Sequence, residues 1–424
     1  MRRYILAMVT VACAGAVCPP AGAETKAKAK EPYWPQFRGP RRDSISLETG
    51  LLKKWPKEGP PLIWKYTDCG RGFSGVSIAE GRIYCAGDFG KQEMVFALSL
   101  DGKLLWKSPN GSSWRRSCPG SRTTPTYADG ALYHMNPLGR VAAFGAKDGK
   151  EIWAVDLKKR FDSRSGIWAL AENLIVDGEK VLCLPGGSKA LAAALDRKTG
   201  KTLWATTPLT DRAAYCTPVI ATHKGVRQMI TMTAKSVISV DVKTGRLLWT
   251  HPYPMGYPQH ATPPVYHDGH VFVACGHSTG GTMLRINPDS SGVTKAWYMR
   301  KFDNCHGGVI RIGKRIYGSG CRVGGKGFYC VDFLTGKPIA TNDEVGKISI
   351  LHAEGMLYGL NHTGPMYLMD ITAGKIKIVS RFNMPGKRKT NIYLAHPVIC
   401  AGRLYLREGN NLYAHDIRAK AGGR

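Results

Sequence analysis

One phrase recurs seven times in this chain of 424 residues: an apolar strand, a tight turn that ends in Gly, usually a Lys or Arg, and a second strand that mostly carries a Trp. Two copies read AALDRKTGKTLWA (residues 193–205) and SVDVKTGRLLWTH (residues 239–251). Five Trp residues follow one another at intervals of 45 to 51 residues, namely Trp106, Trp153, Trp204, Trp249 and Trp297. Repeats of this length are typical of four-stranded propeller blades, so the repeat alone predicts an all-β propeller.

A second periodic signal gives the number of blades. Eight segments end in a Gly turn and lead at once into another strand rich in β-branched and aromatic residues, as in VSIAEG (residues 76–81) followed by RIYCAG. These segments predict the inner strands of eight blades. The last blade lacks a fourth strand at the C-terminus, whereas PLIWKY (residues 61–66) carries the Trp of a fourth strand before the first blade. We therefore expect the N-terminal strand to complete the last blade and remove its free edge.

The repeated Trp residues are predicted to be structural rather than catalytic. A large indole can cover the gap between neighbouring blades while its N–H group bonds locally. This prediction applies to six residues: Trp64, Trp106, Trp153, Trp204, Trp249 and Trp297.

The N-terminal residues predict export. Arg2 and Arg3 precede an apolar stretch (residues 4–17), and a small-residue cleavage site follows at residues 21–23. Later segments fall short of the roughly 20 uncharged residues that a spanning helix needs. We therefore expect a signal peptide (residues 1–23), an entry segment (24–60), one soluble propeller domain (61–418) and a disordered tail (419–424), in the periplasm or at the cell surface.

Ten cysteines remain after the predicted signal, and an oxidising compartment favours disulfides. Cys321 and Cys330 flank a Gly-rich turn and are predicted to pair across a hairpin. Four others lie in equivalent loops between blades, where two further bridges and four buried thiols both remain open: Cys69, Cys118, Cys216 and Cys305. The spacings CxxC and CxxxC are missing from the sequence, which argues against a zinc site.

Charge is the strongest compositional signal. The formal net charge is +29, and many Lys and Arg residues fall in the loops from the fourth strand of one blade to the first strand of the next. The basic residues predicted to bind a partner are Arg71, Arg115, Arg116, Arg122, Arg160, Arg164, Lys387, Arg388 and Lys389. A one-sided basic surface attracts anions, so a lipid head group, an acidic polysaccharide or an acidic patch on a protein is the expected partner. Export argues against nucleic acid. The alternative is a generally basic, solvated surface.

Three histidines are candidates for the mouth of the central channel. His260, His306 and His396 each lie near the start of an inner strand. Such residues bind a metal, respond to pH or serve as hydrogen-bonded channel lining. Their positions relative to the turn Gly differ between blades, which argues against a regular ring of ligands.

Repeats of the form AxDxxTGKxxW resemble the blade motif of pyrroloquinoline-quinone (PQQ) repeat propellers, over residues 34–417. That family holds quinoprotein alcohol dehydrogenases and BamB, the non-enzymatic propeller of the outer-membrane β-barrel assembly machinery. The entry motif YWPQFRGP (residues 33–40) is similar to the start of exported PQQ-like propellers. The resemblance implies the fold far more securely than the function.

The resemblance implies two functions. The first is an exported, monomeric, non-enzymatic scaffold without a cofactor, which binds through the basic inter-blade face. The second is a PQQ- and calcium-dependent dehydrogenase of alcohols or sugars. Such enzymes use a stacking Trp, carboxylate ligands for calcium and a disulfide between adjacent cysteines. Here Trp168 is placed like a stacking residue, but the cysteines are nowhere adjacent and the loops carry only scattered acids.

Overall fold

The computed structural model describes residues 31–207, 209, 211–254, 260–323, 325, 327–385 and 393–420. Within these ranges the chain forms 33 β-strands, one short helix, α1 (Leu157–Phe161), and one 3₁₀ turn (Thr372–Gly374). The helices within the described ranges are too short and too polar to cross a bilayer. The predicted signal peptide, Lys387, Arg388, Lys389 and most of the predicted tail lie outside the described residues.

The strands form eight sheets, each built on four antiparallel strands, so the predicted eight-bladed β-propeller is confirmed. Two strands precede the first blade: β1 (Ile45–Ser46) and β2 (Leu62–Tyr66). Blades 1 and 2 comprise β3 (Ser77–Ala79), β4 (Arg82–Phe89), β5 (Gln92–Ser99), β6 (Leu104–Ser112), β7 (Thr126–Ala128), β8 (Ala131–Met135), β9 (Arg140–Gly145) and β10 (Glu151–Asp156). Blades 3 and 4 comprise β11 (Ile175–Asp177), β12 (Lys180–Cys183), β13 (Ala193–Asp196), β14 (Thr202–Ala205), β15 (Val219–His223), β16 (Val226–Met232), β17 (Ser236–Asp241) and β18 (Leu247–Pro252).

The second half of the chain repeats this order. Blades 5 and 6 comprise β19 (Val265–His267), β20 (His270–Cys275), β21 (Gly280–Ile286), β22 (Val293–Met299), β23 (Ile310–Ile312), β24 (Arg315–Ser319), β25 (Phe328–Asp332) and β26 (Pro338–Asn342). Blades 7 and 8 comprise β27 (Ile348–Ala353), β28 (Met356–Asn361), β29 (Pro365–Asp370), β30 (Lys377–Asn383), β31 (Val398–Cys400), β32 (Arg403–Glu408) and β33 (Asn411–Asp416). Because neighbouring strands are antiparallel, successive connections alternate between the two faces of the ring. The inter-blade loops and the turns between second and third strands share one face.

The N-terminal region is built into two blades. Strand β2 pairs antiparallel with β33, so that Trp64 lies opposite Ala414 and blade 8 gains its fourth strand. Strand β1 pairs parallel with β27 as a fifth strand on the inner edge of blade 7. Both pairings satisfy strand edges that would otherwise stay open.

The repeated motif docks one blade on the next. The indole of Trp153 covers Gly200 in the turn between the third and fourth strands of the following blade, and its Nε1–H donates to the Arg197 carbonyl at 2.9 Å. Gly200 has φ +69°, and a Cβ there would lie 2.7 Å from the indole, so the turn requires glycine. The same arrangement recurs for Trp64, Trp106, Trp204 and Trp297. Trp249 differs, since its N–H donates at 3.3 Å to Gln228 within its own blade.

The entry segment crosses the central channel. Trp34 forms a bridge with Ile78 on the inner strand of blade 1. The buried Arg38 donates to the Val309 carbonyl at 2.6 Å, beside the inner strand of blade 6. Ser44 accepts a backbone hydrogen bond of 2.9 Å from His352 in blade 7. Arg42 also donates to the Val176 carbonyl in blade 3 at 2.9 Å. The segment therefore fastens to the inner strands of several blades, including blades 3 and 7 on opposite sides of the ring, and enters the channel from the face of the turns between first and second strands.

The predicted Cys321–Cys330 disulfide is wrong. Cys321 is bonded to Cys305, with 5.9 Å between their Cα atoms. Strand register explains the difference: Cys330 lies opposite Tyr317, four residues before Cys321, and stays a buried free thiol. Cys321 lies beyond the end of β24 and meets the preceding inter-blade loop instead. Cys69 and Cys216, in the corresponding loops, are buried free thiols.

Candidate functional site

The inter-blade loops surround a funnel of about 260 Å³ at one end of the channel. Its floor includes Phe37 of the entry segment, which meets the ring of His396 edge-on at 4.9 Å. Phe73, Trp168 and Tyr215 add aromatic surface from three inter-blade loops. The fold therefore forms a largely apolar concave site at the face that the sequence predicts to be basic.

Polar side chains link the loops around this funnel. The Thr124 backbone N–H donates to Asn173 Oδ1 at 2.6 Å, and Asn173 Nδ2 donates to Thr217 Oγ1 at 2.9 Å. On the next wall, Thr262 Oγ1 donates to Asn304 Oδ1 at 2.6 Å. Each bond joins the loops of successive blades, and Thr124, Asn173 and Thr217 occupy equivalent positions two residues before an inner strand. The loops therefore hold one another in place and the funnel is pre-formed.

Two of the three predicted histidines line the funnel. His306 and His396 do so, and the His306 carbonyl lies 3.2 Å from His396 Nε2. His260 is buried against Tyr253, with ring centroids 5.7 Å apart, and does not line the funnel, although the next residue, Ala261, does. His362, which the sequence reasoning missed, completes the cluster 5.0 Å from the ring of His306. It lies beyond β28, in a turn between second and third strands that opens on the same face. This position in the repeat is the feature from which the sequence could have identified it.

These histidines are neutral at physiological pH. Burial lowers the pKa of His306 and of His396 to about 4. Burial, reinforced by His306 and Lys347, also lowers the pKa of His362. A neutral imidazole offers one hydrogen-bond donor and one acceptor. The funnel therefore presents polar groups without adding their charge.

Trp168 and Arg122 form one wall. The Trp168 ring packs edge-on against Tyr215 at 5.9 Å, which combines a place in the funnel with packing on a neighbouring loop. Arg122 Nε donates to the Trp168 carbonyl at 2.8 Å, and its remaining N–H groups donate to carbonyls of residues 117, 118 and 120. Burial lowers the pKa of Arg122. Arg122 therefore organises its loop and places a positive charge in the wall.

The other predicted basic residues divide into two groups. Arg160 donates to the Gly200 carbonyl of the next blade at 2.6 Å, and Arg164 pairs with Asp162 at 3.1 Å. Both are engaged within the protein.

Arg71, Arg115 and Arg116 form the second group, and all three are exposed. The Arg71 backbone pairs with Asp88, and the Arg116 guanidinium lies 5.9 Å from the centre of the Trp114 ring. Within the described ranges, the three guanidinium groups lie beyond ion-pair distance of every carboxylate.

Three acidic residues of these loops are buried and bonded within the protein. Glu172 accepts the Tyr215 backbone N–H at 2.7 Å, and Asp211 accepts the Thr233 hydroxyl at 2.5 Å. Asp303 accepts backbone N–H groups of residues 321, 322 and 323. Each carboxylate therefore holds a loop. These three carboxylates are therefore not available to pair with the exposed Arg71, Arg115 and Arg116.

The funnel does not fit the calcium site that the quinoprotein resemblance implies. Asp and Glu are missing from its lining within the described residues. In that part of the chain His, Cys, Asp and Glu also form no group of three able to hold a metal ion. Calcium sites rely on carboxylate oxygens, whereas the side-chain oxygens of this lining are those of Thr124, Asn173, Tyr215 and Thr217.

Comparisons with known proteins match two kinds of propeller. A family model described as outer membrane protein assembly factor BamB matches residues 91–342. Curated relatives include the quinohemoprotein alcohol dehydrogenase ADH-IIG of Pseudomonas putida, 30% identical over 34% of this chain and 21% of that protein. Another is the dehydrogenase subunit of alcohol dehydrogenase (quinone) of Acetobacter aceti, which is 28% identical over 34% of this chain and 21% of that protein. The matches thus span about a fifth of the length of these relatives.

Comparison with solved structures matches the same two kinds of protein. The chain is similar to BamB from Moraxella catarrhalis, with TM-score 0.60, 12% identity and coverage of 85% of this chain and 99% of that one. It is also similar to quinohemoprotein alcohol dehydrogenase from Comamonas testosteroni, with TM-score 0.65, 12% identity and coverage of 94% and 82%. At such identities the likeness shows a common fold, and both kinds of protein have it.

Proposed function

Since the chain belongs to the family described as outer membrane protein assembly factor BamB, we propose that it is an exported, non-enzymatic propeller that binds a protein or another anionic partner through its inter-blade face. One observation carries the proposal. On this face Glu172, Asp211 and Asp303 accept hydrogen bonds from neighbouring loops and turns, whereas Arg71 and Arg115 are exposed. The resulting positive potential attracts anionic surfaces and speeds encounter with them.

A quinone-dependent dehydrogenase is the competing function. The relatives named as alcohol dehydrogenases support it, and the comparisons by themselves do not choose. The donor set of the funnel argues against it, because calcium sites rely on carboxylate oxygens and the described lining holds none. The proposal therefore assigns the funnel a binding role.

Binding to immobilised poly-L-glutamate tests the proposal. The purified chain should bind at about 50 mM NaCl and lose most of its affinity by about 300 mM, since salt screens exposed charges. The triple variant Arg71→Ser, Arg115→Ser, Arg116→Ser should lose at least about tenfold in affinity, whereas a control triple variant on the opposite face, Lys103→Ser, Lys243→Ser, Lys337→Ser, should retain it. Equal losses in both variants would reject the inter-blade face and leave general basicity as the explanation.

Reconstitution tests the competing function directly. The chain is incubated with PQQ and CaCl₂, passed through a desalting column and assayed for alcohol-dependent dye reduction. We expect neither a retained quinone absorbance nor activity. A bound quinone together with dye reduction by alcohols would overturn the non-enzymatic proposal.

A further inference from the structure

The funnel has one entrance and a built floor. The entry segment fills the channel from the opposite face, where Arg38 is buried and bonded to the Val309 carbonyl. An occupant must therefore arrive from the inter-blade face and cannot thread through the ring. A volume of about 260 Å³ lies below the range of about 300–1,000 Å³ common for small-molecule sites. It suits the tip of a chain, such as one large side chain.

The wall offers groups that await a partner. Within the described residues, His362 Nε2 and His396 Nδ1 are buried without a hydrogen-bond partner, and both residues line the funnel. Unsatisfied buried polar atoms are costly, and a polar ligand or water relieves the cost. Phe37, Phe73 and Trp168 supply apolar surface beside them. The site thus combines an apolar pocket with hydrogen-bonding groups around it.

Positive charge lies next to this pocket. Arg122 donates its hydrogen bonds to carbonyls, and within the described residues it forms no ion pair with a carboxylate. The half-buried Lys347 lies outside the lining but close to the histidines: its carbonyl accepts the backbone N–H of His362 at 3.1 Å, and its charge contributes to the lowered pKa of His306 and of His362. Within the described residues, carboxylates are missing from the funnel lining. A peptide with carboxylates around its apolar tip is complementary to this arrangement.

We propose that the funnel captures the tip of an acidic loop from a partner protein, with one aromatic side chain inside the funnel and flanking carboxylates on the cationic rim. The proposal rests on the proposed function of the inter-blade face and adds the location and chemistry of its anchor. The funnel opens within the same loops that carry Arg115 and Arg116, so one peptide can contact both. A central pocket filled by an aromatic anchor and bordered by charges is a common design of protein interfaces.

Two labelled peptides of equal charge test the proposal on the unmodified chain. The first is a fluorescein-labelled Asp-Glu-Phe-Glu-Asp, and the second replaces its Phe with Ser. Fluorescence anisotropy should give at least about tenfold tighter binding for the Phe peptide, because burial of an aromatic anchor contributes about 1.4 kcal/mol or more. Equal affinities would overturn the proposal.

Two variants locate the anchor. Ala171→Trp narrows the funnel and should reduce the Phe peptide to the affinity of the Ser peptide. Lys347→Ser should weaken both peptides, whereas the matched control Lys103→Ser, in a turn on the opposite face, should weaken neither. Far-ultraviolet circular dichroism verifies folding. A full Phe advantage in folded Ala171→Trp would also overturn the proposal.

The outcomes separate this inference from the proposed function. Charge-dependent binding of poly-L-glutamate without a Phe advantage would reject the funnel and keep the basic face. Loss of both would reject both. If phenylacetate displaced the Phe peptide at concentrations near the dissociation constant of that peptide, the funnel would be a small-ligand site and the peptide proposal would fall.

Discussion

The contact between the repeated Trp and the turn Gly of the next blade allows a sharp test of what holds the ring together. Gly200 lies under Trp153 at φ +69°, whereas Gly81 has φ +66° and open space where a Cβ would stand. Ala at either position adopts a left-handed conformation, which costs about 1–2 kcal/mol. At Gly200 the added Cβ would also lie 2.7 Å from the indole, and such overpacking costs about 1–3 kcal/mol more.

We therefore expect Gly200→Ala to lower the free energy of unfolding by about 2–5 kcal/mol and Gly81→Ala by about 1–2 kcal/mol. Urea unfolding followed by circular dichroism measures both. The excess should disappear in a Trp153→Ala background, which by itself costs about 3–5 kcal/mol. The double-mutant cycle should then give a coupling of about 1–3 kcal/mol. Equal losses for Gly200→Ala and Gly81→Ala in the native background would refute the docking argument.

Three further predictions concern buried groups. Burial lowers the pKa of His306 and of His396 to about 4, so between about pH 4 and 6.5 the unfolded chain binds more protons than the folded chain. In that window the free energy of unfolding should rise with pH, by up to about 1.4 kcal/mol per pH unit for each histidine. Urea titrations at several pH values should give a smaller rise for His396→Gln than for the unmodified chain. The pH dependence that Asp88 contributes has the opposite sign. Burial raises the pKa of Asp88 to about 7, so stability is lost as pH rises from about 4 to 7. Asp88→Asn should therefore stabilise the protein by about 1–2 kcal/mol at about pH 8 but not at about pH 4. Cys305→Ser should cost about 3 kcal/mol under oxidising conditions and little under reduction, in urea titrations with and without dithiothreitol.

The fold could be predicted from the sequence because the same turn and strand pattern occurs in several blades. Each Asp-x-x-Thr-Gly turn encodes a left-handed Gly, and five of the six repeated Trp residues encode the contact to the next blade, Trp249 being the exception. An ambiguous reading of one copy is corrected by the other six. The entry segment has no such repetition, and its sequence predicted a start of the domain but not a plug fastened by Arg38 across the channel.

For the site, the sequence predicted only the face of the ring on which it lies. Inter-blade loops had to converge on one end of the ring, which brought Trp168, His306 and His396 into the funnel as candidates. The orientation of a side chain depends on loop conformation, and this the repeat does not encode. His260 therefore turns into the core, and Cys321 meets Cys305 rather than the hairpin partner expected from local spacing.

The departure from eightfold symmetry is what gives the funnel chemical meaning. A regular ring would repeat one residue type around the mouth, and an occupant would have many equivalent orientations. Here Trp168 and Tyr215 lie in the loops that lead into blades 3 and 4, whereas His306, His362 and His396 belong to blades 6, 7 and 8. One half of the wall is aromatic and the other half carries neutral imidazoles. An apolar side chain and its polar flank are thereby directed to different sides, so the same scaffold that makes the fold regular can hold a partner in a single orientation.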